Sequence, residues 1–316
     1  MKILYAAGDS SNSKICLERF HNVISNNEKL NNNLLIKYSV FKKSKPYFDI
    51  DWCLDCLFDI QRPDHFKLSD NDNLSIYYDQ VKYFNPDLII SDLEFFSSYI
   101  GGVLNIPVWQ CSSSLLNEGL QKTEKYNIGF HKKYSFLYNK KTDTKNVIIN
   151  SILNSENNFV YSHFGDIDTP PKLKSNFQWI RPYFLVGKKN KLCSHNIVAA
   201  LSNFTNKKIF EELYHKDDTI IFSLFKEEFG NFQIKSIYDY QEYICNLYNS
   251  NYYITQGQSN FLADAYYNGK YSFIYPDFND IECLANSMFS EKFKFAKCIY
   301  DFNKELNNEI INTNTC

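Results

Sequence analysis

The sequence has very little arginine and almost no excess of charge of either sign. Of its 34 Lys and Arg residues only Arg19, Arg62 and Arg181 are arginine, and 36 Asp and Glu residues bring the formal net charge to −2. This balance excludes binding to nucleic acid through bulk positive charge. Because bidentate arginine clamps on phosphate are nearly unavailable, an anion site here must use backbone N–H groups, helix N-termini, hydroxyls and lysines.

Long apolar segments and compact cysteine patterns are also lacking. No apolar run approaches the roughly 20 residues that a membrane span needs. Met1 to Tyr5 leads directly into a strand pattern and not into a signal sequence. The nine cysteines are scattered, without the close spacing of a disulfide framework. We therefore expect no transmembrane segment and a cytoplasmic protein, in the host cytoplasm if a phage or virus encodes it.

Apolar residues, by contrast, are plentiful. They make up 44% of the 316 residues, and aromatic residues alone make up 17%. This is enough for a buried core, and the length is typical of two domains or of one large domain. Abundant Asn, Lys, Tyr and Phe beside scarce Arg indicate a gene low in G and C, as in an AT-rich bacterium, a phage or a large virus.

Short apolar segments alternate with helical patterns along the chain. Strand-like runs occur at 3–7, 34–41, 87–92 and 106–111, and again at 196–201, 219–224, 252–255 and 272–275. Such strands, separated by helices, predict parallel sheets covered on both faces. We predict an N-terminal α/β domain at 1–186, a polar linker at 187–195, a C-terminal α/β domain at 196–304 and a flexible tail at 305–316.

The segment from Ile254 to Asp264 carries the clearest functional pattern. A strand ends, Gly257 permits a tight turn, and a helix begins at Ser259 and Asn260. The N–H groups and the dipole of a helix N-terminus favour an anion, and ligands of open α/β sheets bind where the strands end. Asp264 lies about one turn further along this helix. An ordinary capped helix without a ligand is the alternative that the pattern leaves open.

This segment and the residues after it resemble the donor motif of GT-B glycosyltransferases. The branch in question contains the UDP-glycosyltransferases and the lipid-linked peptidoglycan GlcNAc transferase. Its motif reads His-x-Gly-x-Asn-small-x-x-Glu, then Gly-x-Pro, a strand, Pro, and Asp/Glu-Gln-x-x-Asn-Ala. Residues that match are Asn260, Gly269, Pro276, Asp280 and Ala285, and residues that depart are Gln256 (for His), Gln258 (for Gly), Asp264 (for Glu), Ile281 (for Gln) and Leu284 (for Asn).

The first half of the chain resembles the same family independently. The runs 85–92 and 105–108 match its Pro-Asp-strand-Asp and Ile-Pro-Val signature, and 8–13 occupies the position of its acceptor-cleft loop. Many members carry a His general base in that loop, where this chain has Asn12 nearby. Arg181-Pro182 resembles the step that closes the N-terminal domain.

The resemblance implies two Rossmann-like domains facing across a cleft, and transfer of a sugar from a nucleotide-sugar to an acceptor hydroxyl. A UDP-sugar is the expected donor. Such enzymes usually invert the anomeric centre without a bound metal or cofactor, and we expect the same here. The implied donor-binding residues are Gln256, Gly257, Gln258, Ser259, Asn260, Asp264 and Asp280.

Inversion requires a base that deprotonates the acceptor hydroxyl. Asp9, after the first strand, is the first candidate, and Asp92, after a later strand, is a candidate to orient or replace it. Helix capping is the alternative for both. His163 follows another strand and is a further candidate for the cleft, with a structural position as the alternative. The expected acceptor-side residues are Gly8, Ser10, Ser11, Asn12 and Glu94.

The acceptor itself stays open at this stage. A glycan, a lipid-linked sugar or a small molecule is one class, and a hydroxylated base in DNA or RNA, as for a phage-type enzyme, is another. Lysines and aromatic residues at 131–145 favour nucleic acid, and the net charge of −2 argues against it. Because the donor motif is incomplete, a nucleotide other than UDP, a non-catalytic binding protein on a degenerate scaffold and a nucleotide-sugar epimerase remain alternatives.

Overall fold

A computed structural model shows an α/β protein built on two parallel sheets. The structure describes residues 2–7, 15–16, 19, 34–38, 72–127, 155–189, 195–201, 207–214, 216, 218–224, 228–229, 232–277 and 281–299. The predicted fold class, α/β with parallel sheets, is confirmed.

The first sheet has six strands in the order β2-β1-β3-β4-β5-β6, and all neighbouring strands run parallel. The strands are β1 (Ile3–Ala7), β2 (Leu34–Tyr38), β3 (Leu88–Asp92), β4 (Val108–Ser112), β5 (Asn157–Tyr161) and β6 (Phe177–Ile180). The accompanying helices are α1 (Asp72–Phe84), α2 (Phe95–Leu104), α3 (Leu116–Gly119) and α4 (Lys122–Asn127), with 3-10 turns at Ser113–Leu115 and His163–Asp166.

The second sheet also has six parallel strands, in the order β11-β8-β7-β12-β13-β14. Its strands are β7 (Ile197–Leu201), β8 (Thr219–Ser223), β11 (Lys235–Ser236), β12 (Tyr252–Thr255), β13 (Ser272–Ile274) and β14 (Ala296–Cys298), and a short antiparallel pair joins β9 (Glu228–Phe229) to β10 (Phe232–Gln233). The helices are α5 (Lys207–Tyr214), α6 (Tyr240–Asn249), α7 (Ser259–Tyr267) and α8 (Ile281–Lys292). Among the described helices, none is both long and apolar enough to cross a membrane.

The core of the second sheet follows directly from its sequence. β7 reads Ile-Val-Ala-Ala-Leu and is buried at every position, as expected of a strand covered on both faces. On α5, Ile209, Phe210 and Leu213 share the face that packs on this sheet, beside Ile221 and Ile254.

The chain packs as two units. The second unit takes in 162–170 and everything from Arg181, although β5 and β6, which flank these residues, belong to the first. The domain boundaries drawn from the sequence, at residues 186 and 196, remain a prediction.

Candidate functional site

The most informative feature is the Gly257 turn, residues 256–258, which joins β12 to α7. Gly257 has φ +99°, a backbone conformation that L side chains rarely adopt. Its N–H lies 3.4 Å from the Thr255 hydroxyl oxygen, which accepts from it. Gln258 follows in an extended conformation as the residue preceding α7, and its side chain makes no capping hydrogen bond. The first turn of α7 therefore lacks the usual side-chain cap.

Helix α8 closes the back of this turn. A Cβ added at Gly257 would lie 2.7 Å from the Cys283 carbonyl oxygen and 2.9 Å from Ser287 Oγ. Such distances leave no room for any side chain. Backbone conformation and packing thus both require glycine here, and the sequence prediction of a tight turn is confirmed.

Asn286, on the same face of α8, binds the turn directly. Its side-chain Nδ2 donates to the Gly257 carbonyl oxygen at 2.9 Å and to Ser259 Oγ at 3.0 Å. The residue is fully buried. Sequence reasoning missed Asn286 because the resemblance ends at Ala285; the available signal was the polar i, i+3, i+4 face formed with Cys283 and Ser287.

The predicted donor residues around the turn are brought together and buried. Gln256, Gln258, Ser259 and Asn260 each keep 3% or less of their surface exposed. Asp280 lies outside the residues that the structure describes.

Asp264 contacts the chain segment that precedes the second sheet. Its Oδ1 accepts the backbone N–H of Leu185 at 2.9 Å. One turn later, Asn268 Nδ2 donates to the Leu185 carbonyl oxygen at 2.7 Å, and Asn268 Oδ1 accepts the N–H of Gly187 at 2.8 Å. We call Asp264, Asn268 and the segment 185–187 the linker clasp.

Asp92 lies at the carboxyl end of β3, directly beside the end of β1. The two strands pair with Ala7 opposite Asp92, and the Asp92 side chain is buried. Burial, together with this neighbouring carboxylate, raises the pKa of Tyr5 and raises that of the Cys111 thiol to about 12. The loop that follows Ala7, with the candidates Gly8, Asp9, Ser10, Ser11 and Asn12, lies outside the described residues.

Glu94 serves the start of α2. Its carboxylate accepts the backbone N–H of Ser97 at 2.8 Å and also the Ser97 hydroxyl. The Tyr77 hydroxyl contacts Ser97 from α1, and Ser91 Oγ accepts the Glu94 N–H. Through these hydrogen bonds Glu94 caps the N-terminus of α2.

His163 is packed inside the second unit. It is fully buried among Phe164, Tyr266 and Phe295, and neither ring nitrogen has a hydrogen-bond partner. Burial lowers its pKa from 6.5 to about 3, although the negative charge of Asp166 acts in the opposite direction. The structural alternative for His163 is therefore the one that the geometry supports.

Within the described part of the chain, no group of three or more His, Cys, Asp and Glu side chains is arranged to hold a metal ion. The Lys- and aromatic-rich stretch at 131–145 falls outside that part.

Known structures share this architecture, although no family model and no curated protein sequence matches the chain. The glycotransferase of kitacinnamycin is 13% identical, with a TM-score of 0.53 over 94% of this chain and 86% of its own. The spinosyn forosaminyltransferase is 11% identical, with a TM-score of 0.53 over 95% of this chain and 86% of its own. The spinosyn rhamnosyltransferase, solved with thymidine diphosphate, is 10% identical, with a TM-score of 0.50 over 95% and 87%. At these identities the likeness shows the fold, and the fold is GT-B, as the sequence motifs predicted.

Proposed function

We propose that the protein is a glycosyltransferase that moves a sugar from a nucleoside diphosphate sugar to an acceptor hydroxyl. The main support for this proposal is the Gly257 turn. A glycine with a left-handed backbone conformation connects β12 to α7, and the N-terminus of α7 has no side-chain cap. In a GT-B fold this turn follows a central strand of the C-terminal sheet. Ligands of α/β sheets bind at that edge.

The donor diphosphate would lie at the N-terminus of α7. The helix dipole and the N–H groups at the start of α7 would hold its charge and stabilise the diphosphate as it departs. Asp280 and Asp264 are proposed to complete the donor site, with Asp264 as the contact to the ribose. The resemblance to the family motif favours UDP as the nucleotide of the donor. The spinosyn rhamnosyltransferase solved with thymidine diphosphate supports dTDP as the alternative.

The acceptor side is proposed to lie at the carboxyl ends of β1 and β3. Asp9 would deprotonate the acceptor hydroxyl, and Asp92 would orient or replace it, because Asp92 pairs with the last residue of β1. Gly8, Ser10, Ser11, Asn12 and Glu94 would line this side. We propose that the reaction inverts the anomeric centre without a bound metal.

A thermal-shift screen against UDP-, GDP-, dTDP- and CMP-sugars tests the proposal. A ligand that binds only the folded protein raises its melting temperature by mass action. We expect one nucleotide class to stabilise the wild-type protein selectively. No stabilisation by any of the four classes would contradict the proposal, and stabilisation without turnover would identify a binding protein on the same fold.

A further inference from the structure

We propose that Asn286 is a positioning residue of the donor site, which aims two hydrogen-bond donors at the diphosphate. The two donors are the backbone N–H of Gln258 and the hydroxyl of Ser259. The inference rests on the proposed function and deepens it, because it names a residue on which recognition of the diphosphate depends. Asn286 lies outside the motif that the chain shares with its family.

The orientation of the Asn286 amide follows from its partners. Nδ2 lies 2.9 Å from the Gly257 carbonyl oxygen, an atom that can only accept a hydrogen bond. The reversed amide would place oxygen against oxygen at that distance. The carbonyl of Gly257 is therefore held toward α8 by a donor that only this orientation supplies.

That bond also directs the next N–H group. The peptide between Gly257 and Gln258 is trans, so its C=O and N–H point in opposite directions. With the carbonyl held toward α8, the Gln258 N–H points away from α8. It thus joins the N–H groups that open the first turn of α7.

The second bond acts on the Ser259 hydroxyl. Ser259 Oγ accepts from Asn286 Nδ2 at 3.0 Å. A hydroxyl that accepts through one lone pair keeps its hydrogen for another partner. Asn286 thereby orients this hydroxyl as a donor, which is the role that a phosphate oxygen requires.

The oxygen of the same amide is also able to meet a ligand. Asn286 Oδ1 is buried and has no hydrogen-bond partner, although it sits on the amide that contacts the start of α7. A buried acceptor of this kind gains from a hydrogen-bond donor brought by a bound molecule. A hydroxyl or water bound with the donor would satisfy Oδ1.

The packing of α8 keeps Asn286 in register with the turn. Cys283 and Ser287 occupy the space that a Cβ at Gly257 would need, and Ser287 Oγ donates to the Cys283 carbonyl oxygen at 2.5 Å. These residues lie three positions before and one position after Asn286 on one helix face. A shift of the helix relative to the turn would break both amide hydrogen bonds.

The test compares nucleoside diphosphates with their nucleosides. UDP and uridine, and in parallel dTDP and thymidine, are titrated calorimetrically into the wild-type protein and the Asn286→Asp, Asn286→Ala and Ser259→Ala variants. In Asn286→Asp a carboxylate cannot donate to the Gly257 carbonyl, captures the Ser259 hydroxyl hydrogen and repels the diphosphate. We expect its diphosphate affinity to fall at least about tenfold, equivalent to about 1.4 kcal/mol, with nucleoside affinity within about twofold.

The alanine variants should lose diphosphate affinity by smaller factors in the same direction. Asn246→Ala is the matched control, because Asn246 is equally buried and also makes two hydrogen bonds, to His195 and to the Glu242 carbonyl, away from the turn. It should lose stability with its diphosphate affinity unchanged.

The outcomes separate the two claims. Wild-type protein that binds neither UDP nor dTDP would overturn the donor site in the proposed function, and the positioning role with it. Wild-type protein that binds, with Asn286 and Ser259 variants that retain its preference for diphosphate over nucleoside, would overturn the role of Asn286 alone. If Asn286→Asp does not fold, the ratio of diphosphate affinity to nucleoside affinity is compared between Ser259→Ala and the wild type.

Discussion

Gly257 shows how one residue without a side chain determines the geometry of a candidate ligand site. Two independent constraints coincide there, a φ of +99° and a neighbouring carbonyl oxygen at 2.7 Å from any added Cβ. The sequence indicated the turn, because a glycine between an apolar strand and a helix is a common signal. It did not indicate the closeness of α8, which depends on packing between segments about 30 residues apart.

Gly257→Ala should lower the free energy of unfolding by about 1–3 kcal/mol. The added methyl group would strain the backbone at this φ and would overlap the Cys283 carbonyl oxygen. The nucleotide binding of this variant should be lost. Gly102→Ala is the control, because Gly102 lies in α2 with nothing within 4 Å of an added Cβ. That variant should gain up to about 1 kcal/mol from helix propensity. Urea unfolding measures both changes, and equal stabilities would contradict the constraint at Gly257.

His163 links stability to pH. The folded protein keeps this ring neutral down to about pH 3, whereas the unfolded chain protonates it below about 6.5. The unfolded state therefore binds the extra proton as pH falls between these values. Stability from this group is fully present above pH 6.5 and is lost toward pH 3, by at most about 1.4 kcal/mol per pH unit.

His163→Phe should remove that contribution, because phenylalanine suits the surrounding aromatic rings and does not titrate. We expect the free energy of unfolding of the variant to fall less steeply than that of the wild type between pH 6.5 and the acid limit of folding. The measurement is urea unfolding at several pH values. Identical slopes would show that His163 is not buried as a neutral ring.

At the scale of elements, α7 contributes to two features of the second unit. Its N-terminus forms the candidate donor site. Asp264 on the helix and Asn268, the residue that follows it, form the linker clasp. The sequence predicted the helix and its start, because local signals determine both. It could not predict the clasp, because Asp264 meets Leu185, 79 positions away in the chain.

Asp264→Ala should cost about 1–3 kcal/mol, because it leaves the Leu185 N–H without its acceptor. Asp264→Asn should retain most of this stability, since an amide oxygen still accepts, while the lost charge weakens the proposed ribose contact. Chemical unfolding and donor titration of the two variants separate the roles. An alanine variant as stable as the wild type would contradict the clasp.

The role of Asn286 could not be predicted from the family motif. The family pattern assigns an Asn to the position of Leu284, and the chain instead carries one two residues later, on the face of α8 that meets the turn. Only the packed helices show that the amide reaches Gly257 and Ser259. The presence of Leu284 in place of the motif Asn therefore does not mean that the Gly257 turn lacks hydrogen bonds from α8.

At the scale of the whole molecule, the sequence predicted both parallel sheets, because buried apolar strands and intervening helices leave few other arrangements. The two orders, β2-β1-β3-β4-β5-β6 and β11-β8-β7-β12-β13-β14, place β1 and β3 side by side in one sheet and β12 near the centre of the other. The candidate base and the candidate donor turn thus each follow a strand that has neighbours on both sides. That the base and the donor turn act in one reaction stays a proposal.

Asp9→Asn should lower the release of nucleoside diphosphate from the donor by about 10²–10⁴-fold, the range typical of a lost general base. Donor affinity should stay near that of the wild type, because the change lies on the acceptor side. Asp79→Asn, at an exposed position on α1, provides the control with no expected effect. Full activity of Asp9→Asn would transfer the proposed role to Asp92.

The most direct test of the central claim is calorimetric titration of UDP-, dTDP-, GDP- and CMP-sugars into the wild-type protein and Gly257→Ala. We predict that one of these donors binds the wild type and that this binding is lost in Gly257→Ala, while Gly102→Ala binds as the wild type does. Absence of binding to the wild type, or equal binding to the wild type and Gly257→Ala, would contradict a nucleotide-sugar site at the Gly257 turn.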